Sequence, residues 1–326
     1  MTKPKVFVTR NIPEKGLKIV RDYCEADIWL DELPPAHDEV LKRVRDVDGL
    51  LSALTEQIGE DIMDAAPNLK VISNYAVGVD NIDVAMATVR RIPVGNTPGV
   101  LTDATADMAF ALLLAAARRI VEAEHFVQAG RWKTWNPQLL LGTDLAGSTL
   151  GIIGFGRIGQ AVAKRAVGFD LRVIYHDPAQ QTAFGAIPVD LKTLFHESDF
   201  VSLHVPLTAE TRHMINAQTL KEMKPNAVLV NTSRGPVVDP QDLYNALRTN
   251  QIFSAALDVT EPEPIQLDDP LLGLPNCIVI PHLGSASRHT RDQMAVLAAQ
   301  NLIAGLKGDR LPYCVNSQIY NLDGQE

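Results

Sequence analysis

The sequence predicts an α/β protein of two domains, each built around a parallel sheet. At 326 residues the chain exceeds the usual length of a single domain. Its apolar content of 46% is sufficient for more than one core. Short apolar runs alternate with helical stretches in two series, which is typical of parallel sheets with helices on their faces. A glycine-rich turn opens the second series.

The first series ends at the turn-forming segment Asn96-Thr97-Pro98-Gly99, where we expect the chain to cross into another domain. Helical stretches separate the apolar runs, so the strands should be parallel. The predicted strands cover residues 6–9, 26–29, 49–53, 70–73 and 92–95, and the predicted helices include 14–23, 38–44 and 59–66.

One long helix is predicted over residues 102–130, closed by Gly130. Its centre, residues 106–117, is apolar on nearly every side and should be buried between domains or between subunits. The segment that follows carries Trp132 and Trp135 among basic residues. It is interpreted either as a packed surface loop or, preferably, as an arm that reaches a partner subunit.

The second series begins with a short apolar strand that runs into the turn Gly154-x-Gly156-x-x-Gly159 and then into a helical stretch. The glycines allow a tight turn and close approach of a pyrophosphate, which the N–H groups at the helix start can bind. Asp177 lies 177 − 159 = 18 residues beyond the last glycine, where an acid on the adenosine ribose is expected. The combination predicts a Rossmann-type dinucleotide site.

Residues with acid–base and anion-binding chemistry follow the later strands of this doubly wound sheet, whose strands are predicted at 150–153, 171–175, 200–205, 227–231, 254–259 and 278–280. Ligands bind beyond the carboxyl ends of such strands. These ends carry Arg234, the acids Asp258, Glu261 and Glu263, and His282.

This set suits carbonyl reduction. Histidine can protonate the oxygen that becomes negative, a neighbouring carboxylate favours the imidazolium, and arginine binds a substrate carboxylate through two parallel hydrogen bonds. The residue pattern alone does not choose among Glu263, Glu261 and Asp258 as the carboxylate. Arg234 could instead bind phosphate, and His282 could be a capping histidine at a strand end.

Six other histidines receive lesser roles. His204 is predicted to be structural or near the cofactor. Five others are expected on helices or in loops, exposed to solvent: His37, His125, His196, His213 and His289.

Bulk properties exclude several classes of function. A net charge of −9 argues against nucleic acid or an anionic membrane surface as partner. Three widely spaced cysteines form no metal or redox motif, which predicts buried thiols and no metal. The chain enters its first predicted strand almost at once and its longest apolar run is too short to span a bilayer, so a cytoplasmic location is expected.

The motifs together resemble the D-isomer-specific 2-hydroxyacid dehydrogenases, and within them the glyoxylate/hydroxypyruvate reductases. The resemblance extends over essentially the whole chain and is carried by residues 74–83, 96–107, 151–159, 231–238, 257–264 and 281–286. It implies a Rossmann-type domain over residues 99–286, including the long helix as a dimerisation element. A flavodoxin-like substrate domain would combine residues 1–98 and 287–326, with the active site in the cleft and a homodimer as the assembly.

The resemblance also assigns roles. It makes His282 the acid–base residue, Glu263 rather than Glu261 its partner, and Arg234 the group that binds substrate. It implies substrate contacts from Ala53 and from the backbone of Val77 and Gly78. The implied cofactor-binding residues are Thr105, Gly154, Gly156, Arg157, Ile158, Gly159, Asp177, Val205, Pro206, Thr211, Thr232, Ser233, Arg234, Asp258, His282 and Ser285.

Asp177 predicts NADH in preference to NADPH, because a carboxylate there repels a 2′-phosphate and residues 178–184 contain no Lys or Arg to neutralise one. The resemblance favours glyoxylate as substrate and hydroxypyruvate second. Alternatives are another D-2-hydroxyacid dehydrogenase acting on phosphoglycerate, D-lactate or phosphite, although phosphite enzymes are expected to carry Lys where this chain has Val77. A non-catalytic NAD-binding corepressor is a further alternative.

Overall fold

The computed structural model describes residues 2–179 and 181–324; Met1, Gln180, Gln325 and Glu326 lie outside the described residues. The strands are β1 (Lys5–Val8), β2 (Glu25–Ile28), β3 (Gly49–Ser52), β4 (Val71–Asn74), β5 (Val94–Gly95), β6 (Thr149–Ile153), β7 (Arg172–His176), β8 (Ile187–Pro188), β9 (Phe200–Leu203), β10 (Val228–Asn231), β11 (Ser254–Leu257) and β12 (Cys277–Val279). The α-helices are α1 (Glu14–Tyr23), α2 (His37–Arg43), α3 (Glu60–Ala65), α4 (Val84–Val89), α5 (Thr102–Ala117), α6 (Ile120–Gln128), α7 (Arg157–Ala166), α8 (Leu191–Glu197), α9 (Ala217–Glu222), α10 (Pro240–Arg248) and α11 (Arg288–Lys307).

The chain forms two compact units, one of residues 1–101 with 286–326 and the other of residues 102–285. In the first unit five parallel strands lie in the order β2-β1-β3-β4-β5. This is the flavodoxin-like order 2-1-3-4-5. The chain's last segment adds to this sheet, since the N–H of Val315 donates to the Val94 carbonyl at 2.8 Å.

The second unit contains a parallel sheet in the order β12-β11-β10-β9-β6-β7-β8. The chain runs from β6 outward through β7 and β8, then returns to the other side of β6 with β9. The boundary between β6 and β9 is therefore the topological switch point, outside which doubly wound sheets bind ligands. The predicted fold class, with a Rossmann-type and a flavodoxin-like sheet, is confirmed; the short strand β8 was not predicted.

Both faces of this second sheet are covered, as parallel sheets require. Leu150 and Ile152 of β6 pack on one face with residues of α5 and α7. Ile153, one position further and hence on the opposite face, packs with residues of α8, α9 and α10. The sheet is consequently held rigid from both sides, and its carboxyl-end loops start from fixed points.

The prediction of one helix over 102–130 is wrong, because the structure has two helices, α5 and α6, separated by Arg118 and Arg119. Arg119 has a left-handed φ of 53°. The Ala117 carbonyl, which a continuous helix would satisfy internally, accepts instead from the N–H of Thr143 at 2.9 Å. The returning chain thus terminates α5. Within the described residues, no helix combines the length and the apolarity needed to cross a membrane.

Candidate active site

The glycine turn joins β6 to α7 at the switch point. Gly154 has a φ of 90°, and a Cβ built there would lie 2.6 Å from the carbonyl carbon of His204 at the end of β9. A Cβ on Gly159 would lie 2.2 Å from the Gly154 oxygen, whereas one on Gly156 would meet nothing within 4 Å. Two glycines therefore close the turn, and Gly156 keeps the start of α7 open, as a pyrophosphate requires. Arg157 and Ile158 form the first turn of that helix.

Asp177, just beyond β7, is bound to the glycine turn. Its Oδ2 accepts from the N–H of Phe155 at 2.7 Å, and its Oδ1 accepts from the N–H of Ala179 at 2.8 Å. Each carboxylate oxygen has a further lone pair for a ribose hydroxyl. The sequence predicted the acid at this position but not its bond to Phe155, for which the spacing gives no signal.

The predicted acid–base pair is in contact: Glu263 Oε1 lies 2.6 Å from Nδ1 of His282. The two side chains are 34% and 25% exposed, respectively. His282 follows β12 with a left-handed φ of 52°, and its N–H donates to the Asp258 carbonyl at 2.9 Å. Such a backbone is rare for a residue with a Cβ. Because Nδ1 faces Glu263, the opposite nitrogen Nε2 can hold or release a proton.

Asp258, the residue after β11, fixes the loop that carries His282. Its carboxylate accepts from the N–H groups of Leu283 and Gly284, the latter at 2.8 Å. The residue is 1% exposed, and this burial raises the pKa of its carboxyl against the lowering effect of the two hydrogen bonds. A Cβ on Gly284 would lie 3.4 Å from the methyl carbon of Thr105, so that predicted cofactor residue lies beside Asp258.

Arg234 follows β10 and caps a short 3-10 helix, Gly235–Val237. Its Nη1 donates to the Ser233 carbonyl at 2.8 Å. The loop touches the segment that carries Glu263, because a Cβ on Gly235 would lie 1.9 Å from the Thr260 oxygen. The loops that carry the three predicted catalytic residues are thus tied to one another at one edge of one sheet.

Glu261, which sequence reasoning left as an alternative partner for His282, binds elsewhere. Its Oε2 lies 2.6 Å from Nε2 of His213, and its Oε1 accepts from Arg212. The expectation that His213 is simply solvated is wrong, since its other ring nitrogen lies 3.4 Å from Asp239 Oδ2. Glu261 and His213 are 48 residues apart, so no local motif could indicate that they are in contact. His37 and His196 likewise contact carboxylates, at the surface.

His204, at the end of β9, is held inside the second unit. Its ring nitrogen Nε2 lies 2.8 Å from the Ser202 hydroxyl. Among the described residues, neither its buried Nδ1 nor the buried hydroxyl of Thr232 has a hydrogen-bond partner. Burial lowers the pKa of the His204 imidazole to about 4, so the ring is neutral near pH 7.

The other predicted cofactor residues lie on loops of the same unit, beyond strand ends. Val205 and Pro206 follow β9, and the Thr211 hydroxyl donates to the Pro206 carbonyl at 2.7 Å. Ser233 caps the turn after β10 through bonds to Asn231, at 3.0 Å from its N–H and 2.8 Å from its hydroxyl. Ser285 is the last residue of the unit.

The predicted substrate-binding residues of the first unit follow two of its strands. The Ala53 N–H, after β3, donates to Glu56 at 2.8 Å. The carbonyls of Val77 and Gly78, after β4, accept from asparagine side chains at 2.8 and 2.9 Å. In the described part of the chain, the N–H groups of Val77 and Gly78 make no backbone-to-backbone hydrogen bond.

Comparison with known proteins identifies the family. Residues 110–284 match the model of the D-isomer specific 2-hydroxyacid dehydrogenase, NAD binding domain. The chain is 53% identical over 322 residues to the glyoxylate reductase of Korarchaeum cryptofilum (strain OPF8), with 97% of each chain covered.

Solved structures are similar to this chain over nearly its whole length. The TT0316 protein of Thermus thermophilus superimposes with a TM-score of 0.92 at 47% identity, covering 95% of this chain and 99% of that one. The NADPH-dependent glyoxylate/hydroxypyruvate reductase of Sinorhizobium meliloti, in complex with NADP and malonate, gives a TM-score of 0.85 at 34% identity, covering 96% and 97%.

Proposed function

The chain belongs to the D-isomer specific 2-hydroxyacid dehydrogenases and is an oxidoreductase that acts on a CH–OH group, and we propose that it reduces glyoxylate, and secondarily hydroxypyruvate, with NADH. The observation that carries the proposal is the contact of 2.6 Å between Glu263 and His282 on loops tied to that of Arg234. The relative from Korarchaeum cryptofilum is named a glyoxylate reductase, which supports the substrate.

A nicotinamide dinucleotide fits the second unit. Gly156 leaves the start of α7 open to a pyrophosphate, and Asp177 stands at the end of the neighbouring strand for the ribose. Asp258 and Thr105 lie together near the His282 loop, where the nicotinamide amide would need partners. When bound, the cofactor supplies the hydride.

His282 acts as the general acid in the direction of reduction. Its Nε2 proton passes to the carbonyl oxygen, on which negative charge develops. Glu263, at Nδ1, favours the imidazolium before transfer and orients the ring. In the direction of oxidation the same nitrogen accepts the hydroxyl proton, so one residue serves both directions.

Arg234 binds the carboxylate of the substrate. A guanidinium matches a carboxylate with two parallel hydrogen bonds, and this fixes the 2-oxo group beside it. The N–H groups of Val77 and Gly78 are the second set of carboxylate donors that we propose, on the basis of the family resemblance. The one carboxylate of a small 2-oxo acid is the group that either set of donors would bind.

The preference for NADH rests on Asp177. Its carboxylate is held in place by two backbone N–H groups, so its charge cannot move away from a 2′-phosphate. The segment 178–184 offers no Lys or Arg to compensate; its residue Gln180 lies outside the described residues. The Sinorhizobium meliloti enzyme named above is NADPH-dependent, so the preference that we propose here is the opposite one.

A panel of 2-oxo acids assayed with NADH and with NADPH tests the proposal. We expect the highest kcat/KM with glyoxylate and NADH, then hydroxypyruvate, and little turnover of phosphorylated or bulky acids. An equal or higher kcat/KM with NADPH contradicts the cofactor preference. Absence of turnover with every 2-oxo acid contradicts the activity.

We further propose a cytoplasmic homodimer that forms through α6 and the segment after it. The exposed apolar side chains there support an interface: Ile120, Val127, Trp132, Trp135 and Leu141 are each more than half exposed. Light scattering on the purified protein should give about twice the chain mass of 35.6 kDa. A monomer at micromolar concentration contradicts this.

A further inference from the structure

A second histidine–carboxylate contact lies beside the first. Glu261, two residues before Glu263, contacts His213 at 2.6 Å and also binds Arg212. Building on the function proposed above, we infer that Glu261, His213 and Arg212 are positioning residues. They hold the segment that carries Glu263 so that its carboxylate remains on His282.

The segment benefits from such an anchor because, in the described part of the chain, no hydrogen bonds between backbone groups fix its conformation. Within the described residues, 259–264 make no backbone-to-backbone hydrogen bond. Asp258 fixes the start of the segment through Leu283 and Gly284. Glu261 fixes its middle, and Glu263 lies only two residues further. Restricting Glu261 therefore restricts the positions open to the Glu263 carboxylate.

His213 connects this segment to the loop of Arg234. Its N–H donates to the Pro236 carbonyl at 2.8 Å, two residues past Arg234, while its ring contacts Glu261. Its left-handed φ of 50° shows that the backbone is held in an unusual conformation. The same residue thus fixes the loop that binds substrate and the segment that supports the acid.

The charge of Glu261 favours its contacts with His213 and Arg212. Burial alone would raise the pKa of Glu261, but the hydrogen bonds and positive charge of His213 and Arg212 bring it below its usual value. Glu261 is therefore anionic near pH 7. Asp239 faces the other side of the His213 ring at 3.4 Å and caps α10 through the N–H of Asp242 at 3.0 Å, which orients that ring.

The chain provides a matched control in Glu222. Its Oε2 lies 2.6 Å from Nε2 of His196, so E222Q removes a contact of the same chemistry on α8 and α9, away from the catalytic loops. The variant E263Q provides the reference for complete loss of the His282 partner.

We expect E261Q to lower kcat for glyoxylate roughly 10-fold with a KM for NADH within about two-fold, because a displaced general acid slows chemistry more than binding. The alkaline limb of the kcat/KM profile should move to lower pH, as in E263Q, since the imidazolium loses support. E222Q should match the wild type. A wild-type kcat and pH profile in E261Q overturns the inference.

A double-mutant cycle separates positioning from general loss of structure. If Glu261 acts through Glu263, adding E261Q to E263Q costs little beyond E263Q alone. Full additivity of the two losses overturns the inference. Should E261Q not fold, R212Q removes one cationic partner and leaves the His213 contact, and a smaller shift of the same kind is expected; an unshifted R212Q profile counts against the role of Arg212.

NMR spectra of the His282 ring at pH 7, assigned with H282Q, need no turnover. We expect the ring resonances of E261Q to shift towards those of E263Q, with E222Q unchanged. A shift in a protein that turns over no 2-oxo acid refutes the proposed function alone. Normal turnover with no shift in E261Q refutes the positioning role alone.

Discussion

Two histidine–carboxylate contacts of equal length, His282–Glu263 and His213–Glu261, differ in what contacts the second ring nitrogen of the histidine, and we propose different roles for them. His213 has a carboxylate on each ring nitrogen, so no nitrogen is left for a substrate proton. His282 has Glu263 on Nδ1, and within the described residues no partner contacts its Nε2. Contact distance alone therefore does not identify an acid–base pair. What distinguishes such a pair is a second ring nitrogen that no carboxylate contacts.

The largest effect should come from breaking the first pair. H282Q removes the proton donor, and kcat for glyoxylate should fall by about 10²–10⁴. H213Q should cost on the order of 10-fold, because it keeps the backbone bond to Pro236 and loses only the ring contact that positions the segment of Glu263. Steady-state kinetics on both variants, with circular dichroism to confirm folding, provide the comparison. Losses of equal size would contradict the distinction between the two histidines.

A second effect should separate substrate binding from acid–base chemistry. R234K keeps the charge but loses the two parallel hydrogen bonds, so KM for glyoxylate should rise by roughly 10- to 100-fold. R248K, on the exposed end of α10, is the control and should leave KM unchanged. An unaltered KM in R234K would show that Arg234 does not hold the substrate carboxylate.

A smaller effect is expected at Asp177, whose carboxylate accepts hydrogen bonds from backbone N–H groups and, among the described residues, contacts no histidine. D177N removes the charge that repels a 2′-phosphate and keeps one side-chain oxygen, which can accept from only one of the two N–H groups, that of Phe155 or that of Ala179. The ratio of kcat/KM for NADH to that for NADPH should fall by about 10-fold. Asp190, a helix cap on the same unit, gives the control D190N. An unchanged ratio in D177N would remove the basis for the cofactor preference.

A last effect concerns stability and not activity, at a histidine that contacts no carboxylate of the described residues. The folded pKa of His204 is about 4, below the usual histidine value of 6.5. As pH falls from about 6.5 to about 4, the unfolded chain takes up a proton that the folded chain refuses, so stability falls, by at most about 3 kcal/mol.

Calorimetry on the wild type and H204Q at pH 7.5 and pH 5 measures this loss. The wild type should lose more melting temperature between the two values than H204Q does. H289Q, which removes an exposed histidine in the first turn of α11, should behave as the wild type. Equal losses in H204Q and the wild type would show that His204 does not resist protonation.

Most of the fold could be predicted from the sequence, because the spacing of apolar residues indicates strands and helices and the glycine and proline turns mark their ends. Apolar runs with glycine turns located the strands of both sheets to within a few residues. The single helix over 102–130 was wrong since nothing local marks Arg119 as left-handed; the break depends on Thr143, distant in sequence, bonding Ala117. β8, with only two residues, carries no periodic signal.

At the candidate site, the strand-end rule brought Arg234, Glu263 and His282 to one sheet edge, and their side-chain chemistry indicated their roles. The choice of Glu263 over Glu261 required family resemblance and stays a proposal; in the structure Glu263 contacts His282, and Glu261 contacts His213. His213 and Glu261 are 48 residues apart in different loops, and no rule based on local spacing predicts their contact. Pairwise contacts between loops are the part that sequence reasoning did not supply.

The close approach of Gly235 to Thr260 has a consequence for protein engineering. Any side chain at position 235 would collide with the Thr260 carbonyl, so the loop of Arg234 and the segment of Glu263 are in close contact. A designer who wishes to transplant the substrate preference of a relative should exchange the two loops as one cassette, together with the Arg212–His213 turn. Replacing either loop by itself would leave a mismatched surface at its joint with the other.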